Sequence, residues 1–101
     1  MFHTHNIFIT MDTKLALKKI LEELLIDEYP QVENVVITGR EFILPKSDGF
    51  GEEKHGQFSV FLNGNFEGMN NRELEELRYA TRKIGKYVLN NNERIFDVVT
   101  I

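Results

Sequence analysis

The chain predicts an α+β fold, a two-layer sandwich in which two helices pack on one face of an antiparallel sheet. Three observations predict it. Amphipathic helical patterns occupy residues 13–28 and 71–88, β-rich runs fill the stretch between them, and one more β-rich run closes the chain. A length of 101 residues suits one domain with a single core. Hydrophobic residues at 42% and charged residues at 28% belong to a globular chain rather than a disordered one.

Residues 1–10 have two readings: a flexible leader preceding Met11, or a segment whose Ile7-Phe8-Ile9 run opens a first strand. With that strand the order is β-α-β-β-α-β, the ferredoxin-like order. Without it the chain is a helix, a strand meander, a helix and a strand. In the first helix Leu17, Ile20, Leu21, Leu24 and Leu25 recur at three-and-four spacing and form one buried stripe, which leaves Leu15 and Ile26 outside it. Asp12 stands at the N-cap position, and Pro30 disfavours helical backbone at Tyr29, so both ends are signalled.

Residues 35–38 and 42–44 are short β-rich runs joined by Gly39-Arg40-Glu41, read as a hairpin or as one bulged strand. Residues 46–56, rich in glycine and charge and including Phe50 and His55, predict a mobile exposed loop. Residues 57–62 alternate, with Phe58, Val60 and Leu62 on one side and Gln57, Ser59 and Phe61 on the other. Asn63-Gly64 predicts a tight hairpin, with a short return over residues 65–68. Asn70 and Glu73 have the spacing of a capping box at the start of the second helix. Its core stripe is Leu74, Leu77, Ile84 and Val88, with Ala80 permitting close approach. The last run, residues 95–101, is apolar on both faces, which predicts an inner strand or one covered by a partner.

A net charge of −4 argues against tight, salt-driven binding along a nucleic-acid backbone. The absence of cysteine excludes disulfides, a thiolate nucleophile and cysteine-based zinc sites, and it accords with the cytoplasm. No apolar run approaches the roughly 18 to 20 residues that span a bilayer, and no Lys or Arg precedes Lys14, so neither membrane insertion nor secretion is expected.

Chemistry-bearing constellations are sparse. His3 and His5 share one side of an extended segment, with His55 or Asp12 as conceivable third ligands; a solvated pair near a chain end is the better reading, and no metal is expected. Gly49-Phe50-Gly51 lacks the helix start that a phosphate-cradling loop requires. The adjacent pairs Glu22-Glu23, Glu52-Glu53 and Glu75-Glu76 read as solvated charge. No catalytic residue, cofactor or enzymatic activity is expected. Arg78, Arg82, Lys83 and Lys86, with Tyr79 beside them, form a candidate basic face on the second helix, whose plain reading is the solvated side of an amphipathic helix.

Ile7-Phe8-Ile9 resembles the first-strand signature of the RNA-recognition motif, and residues 54–61 are similar to its third-strand signature. Lys54, Phe58 and Phe61 match it, while His55 and Gly56 depart from it. The resemblance implies stacking of bases on Phe8, Phe58 and Phe61, although Phe58 and Phe61 have opposite parity in a regular strand.

The leading functional expectation is a small non-enzymatic protein-interaction or oligomerisation module. Two helices cover one face of a sheet, so apolar residues on the other face need a partner or a second copy. Val36, Phe61, Phe96 and Val98 are the candidate surface. The alternative is single-stranded nucleic-acid binding by sheet aromatics, assisted by the basic helix face.

Overall fold

The computed structural model describes residues 12–101; the segment that carries Ile7-Phe8-Ile9, His3 and His5 lies outside the described residues. Within them the chain runs α1 (Thr13–Glu28), β1 (Val32–Pro45), β2 (Glu52–Gly64), α2 (Asn71–Val88) and β3 (Glu93–Thr100). Both helices have the bounds that their patterns predict. Asp12 caps α1 by accepting from the Lys14 amide, and Asn70 and Glu73 form a complete capping box at α2.

The three strands lie in the order β1-β2-β3. β1 pairs with β2 antiparallel, whereas β2 and β3, linked through α2, run parallel over Gly56 to Leu62. The sheet is therefore mixed, which corrects the antiparallel expectation. The cause is the β2-α2-β3 crossover, which returns the chain to the same end of the sheet before β3 starts. In the split arrangement of a ferredoxin-like sheet another strand separates these two; here they are direct hydrogen-bonded neighbours.

Gly39 does not break the first β-run. β1 continues through it as one strand whose irregularity falls between Val32 and Asn34 instead. Gly39 has φ +139°, and a Cβ there would collide with the Gln57 carbonyl oxygen and lie 2.8 Å from Phe58 Cα, so the close approach of β2 requires glycine. Pairing then extends to Pro45 opposite Glu52, which reduces the expected loop over residues 46–56 to a connection over 46–51 and places His55 inside β2. The Asn63-Gly64 hairpin is absent. Gly64 has no positive φ; it pairs with Val32 and donates its amide to the Ile101 carbonyl, so β3's end and β1's start occupy the space a return strand would need.

One core forms between the helices and one sheet face. Leu17, Leu21 and Leu25 of α1 and Leu77 of α2 meet Val35, Phe58, Val60, Leu62, Ile95 and Val98 of the sheet. Leu24, predicted within the α1 stripe, is exposed, and Thr81 and Gly85 join Leu77 as the buried residues of α2. Thr81 satisfies its hydroxyl by donating to the Leu77 carbonyl at 2.8 Å. Gly85 leaves room for the Ile95 side chain, whose Cδ1 would clash with any Cβ at that position.

Candidate interaction face

The parity of β2 divides the sheet. Gly56, Phe58, Val60 and Leu62 turn toward the helices; His55, Gln57, Ser59 and Phe61 turn away. Register then assigns their neighbours on the face left uncovered among the described residues. Val36 flanks Phe61 on one side and Val99 on the other; Thr38 and Asp97 flank Ser59; Arg40 and Arg94 flank Gln57; Phe42 lies opposite His55. The face thus has an apolar end around Phe61, a polar and charged middle band, and an aromatic end where the Phe42 and His55 rings stack at 5.8 Å with planes 13° apart.

Phe96 sits at a bulge. Phe58 pairs with Ile95, but Ser59 pairs with Asp97, so Phe96 is the extra residue on β3. Ile95 and Val98, three apart, both reach the core, while Phe96 stands 62% exposed beside a shallow groove of about 430 Å³ lined by Gly39, Arg40, Phe42, Gln57, Ser59 and Phe96. This corrects the expected site. Val36 and Phe96 are exposed on this face and Phe61 is half-buried between its neighbours, but Val98 is in the core. Plain alternation puts 96 and 98 on the same side; the bulge reverses Val98.

The bulge also accounts for Arg82. Its guanidinium leaves the surface of α2 and donates to the Ile95 carbonyl at 3.0 Å and the Phe96 carbonyl at 3.2 Å. The other cations of the candidate basic face stay on α2. Arg78 pairs with Glu75 at 2.8 Å, Lys83 lies 5.8 Å from the centre of the Tyr79 ring, and Lys86 is exposed. Since α2 packs on the helix-covered side, these cations and the sheet aromatics occupy opposite sides of the domain. Phe58 is fully buried, so it is not available to stack on a base.

His55, expected in a loop, is held between the Phe42 ring and Glu53, 3.6 Å from its Nε2, while Phe50 is 80% exposed in the 46–51 connection. Sequence reasoning missed Arg40, Phe42, Arg94 and above all Asp97. Asp97 Oδ1 is buried on the uncovered face without a hydrogen-bond partner among the described residues. Arg40 and Phe42 follow from extending β1 beyond Gly39; Asp97 has no sequence signal, because its direction depends on the bulge.

No protein-family model matches the chain, and no curated protein matches it either. Among solved structures, the crystal structure of the organic hydroperoxide resistance protein OhrB of Bacillus subtilis has a similar fold. The TM-score is 0.52 at 15% identity, over 88% of this chain and 63% of that one. The chain therefore spans less than two thirds of the length of that protein, and the likeness is one of fold. No described helix is long and apolar enough to cross a membrane.

Proposed function

We propose that the protein is a small non-enzymatic interaction module, acting in the cytoplasm, which binds a second copy of itself through the uncovered face of its sheet. The observation that carries this reading is Asp97 Oδ1, buried on that face without a hydrogen-bond partner among the described residues, next to the exposed Phe96. A carboxylate oxygen withdrawn from water without a donor is costly in a monomer. The same face supplies donors, Arg40 and Arg94, and exposed apolar groups, Val36 and Phe42. In a two-fold pairing each copy offers both the acid and the arginines, so one surface serves both partners.

The likeness to OhrB, at 15% identity, is one of fold and carries no reaction over to this chain. Size-exclusion chromatography with light scattering, run from low to high micromolar protein, tests the reading. A dimer is expected for the wild type and a monomer for Phe96→Glu, which replaces the exposed ring on β3 with a second acid beside Asp97. A wild-type protein that stays monomeric at high micromolar concentration overturns it.

A further inference from the structure

A different cluster lies on the helix-covered side, at the end of the core. Register aligns Glu41 of β1, Gly56 of β2 and Glu93 of β3 in one row across the sheet. Gly56 carries no side chain, and the edge of the Phe58 ring lies over it, 3.1 Å from where a Cβ would stand, so the two glutamates flank a position that no polar group occupies. Glu93 is 8% exposed, and Asn90 donates its amide to Glu93 Oε1 at 3.4 Å. Glu93 Oε2 and Glu41 Oε2 are both buried and make no hydrogen bond among the described residues, and of the two only Glu41 Oε2 has a cation at ion-pair distance, Lys54. Two carboxylates side by side would repel and leave Glu93 Oε2 without a donor or a cation of its own. One proton between them removes both costs at once, since a protonated carboxyl donates where a carboxylate only accepts.

We propose that Glu41 and Glu93 form a proton-binding clasp: they share one proton across Gly56 and so tie the outer part of the β1-β2 hairpin to the start of β3. The groups around the pair come from every neighbouring element. β2 supplies Lys54, whose Nζ is 3.4 Å from Glu41 Oε2. α1 supplies the Thr13 hydroxyl, which accepts from Lys54 Nζ at 3.3 Å and helps to lower the Glu41 carboxyl. The turn after α2 supplies Asn90, whose side chain also donates to the Lys54 carbonyl. A single ammonium beside two acids compensates one negative charge, and the proton compensates the other.

The directions of titration agree. Burial pushes the Glu93 carboxyl up, and the neighbouring Glu41 pushes it further. Burial also raises Glu41, but its bonds to Thr13, Glu93 and Lys54 outweigh that and hold it below the ordinary carboxylate range. The proton therefore resides mainly on Glu93, and Glu41 is the acceptor. Because Glu93 is raised in the folded state, its contribution is complete below the ordinary carboxylate range and is lost as pH rises through the folded value. The one-proton clasp is therefore closed between the lowered titration of Glu41 and the raised titration of Glu93, and it loosens as pH rises through the latter.

Carboxyl-carbon NMR titration of the full chain reads the pair directly. In the wild type, Glu93 is expected to titrate above and Glu41 below the ordinary range. Glu41→Gln is expected to lower the Glu93 titration, because the amide donates to Glu93 as a carboxylate and the neighbouring charge is gone. Glu93→Gln, which keeps a donor at every pH, is expected to flatten the rise in amide exchange of residues 41–45 and 52–56 with pH, after correction for intrinsic exchange. If Glu93 titrates identically in wild type and Glu41→Gln, burial alone shifts it and the shared proton is excluded. Exchange that rises equally in wild type and Glu93→Gln excludes the clasp.

Discussion

At the scale of the residue, Arg82 shows how little a charge on a helix surface says about its role. In the sequence it is one of a run of cations on the polar side of an amphipathic helix. In the fold its planar fork spans two consecutive carbonyls, Ile95 and Phe96, at the bulge that turns Asp97 outward. A cation that merely solvates a helix changes stability by within about 0.5 kcal/mol when removed. Arg82→Ala is expected to cost about 1–2 kcal/mol in urea unfolding, the range for charge-assisted bonds reduced by the exposure of the side chain. Arg82→Lys should recover part of that, since an ammonium lacks the fork geometry. Equal stability of all three proteins would show that the bulge holds itself. Asp97 belongs to the same lesson: its direction follows from the bulge that Arg82 braces, and no property of residue 97 alone announces it.

At the scale of the element, the helices were legible and the strands only in part. Helix ends are written locally, in Asp12, Pro30, Asn70 and Glu73, and the structure uses each of them. Strand lengths are written in pairing partners far along the chain, which is why Gly39 looked like an interruption and residues 52–56 like a loop. The edge of β1 shows a further element-level device. Glu22 Oε2 accepts from Lys18 Nζ at 2.7 Å and from the Val35 amide at 2.9 Å, while Lys18 donates to the Val35 carbonyl at 2.6 Å. An ion pair on α1 thus occupies both outward backbone groups of Val35, and Lys14 reaches the Gly39 carbonyl at 3.4 Å, which blunts this edge against strand addition. Burial raises the Glu22 carboxyl, but the Lys18 bond, the Val35 amide and the Lys18 charge outweigh it, so Glu22 titrates below its ordinary range. A lowered carboxyl contributes stability that is present above the unfolded value and lost as pH falls through the folded one. Wild type is therefore expected to exceed Glu22→Gln in urea unfolding at neutral pH, with the difference closing in acid. A difference that persists unchanged below the titration of Glu22 would assign it to packing rather than charge.

At the scale of the whole molecule, the decisive fact is that both helices lie on one side of a three-stranded sheet. The sequence announced that imbalance, because two amphipathic stripes account for one layer of contacts and the terminal strand is apolar on both faces. The composition of the uncovered face was not announced. Arg40, Gln57, Arg94, Thr38, Ser59 and Asp97 form its middle band only once register sets three separate segments side by side. A face with apolar groups at both ends and charges of both signs between them is wet in a monomer and self-complementary under two-fold rotation. If a second copy covers it, folding and association are linked, and stability depends on protein concentration. A hundredfold rise in concentration above the dissociation constant adds about 2.7 kcal/mol per dimer, enough to raise Tm by several degrees for a domain of this size. Scanning calorimetry across that range is expected to show such a rise for wild type and a constant Tm for Phe96→Glu. The contribution is separable from the Glu41–Glu93 clasp, which lies on the other side of the sheet and responds to pH at any single concentration. A wild-type Tm that is flat across the hundredfold range would leave the sheet face without its second copy, and Asp97 Oδ1 would then be an unrelieved cost of the monomer.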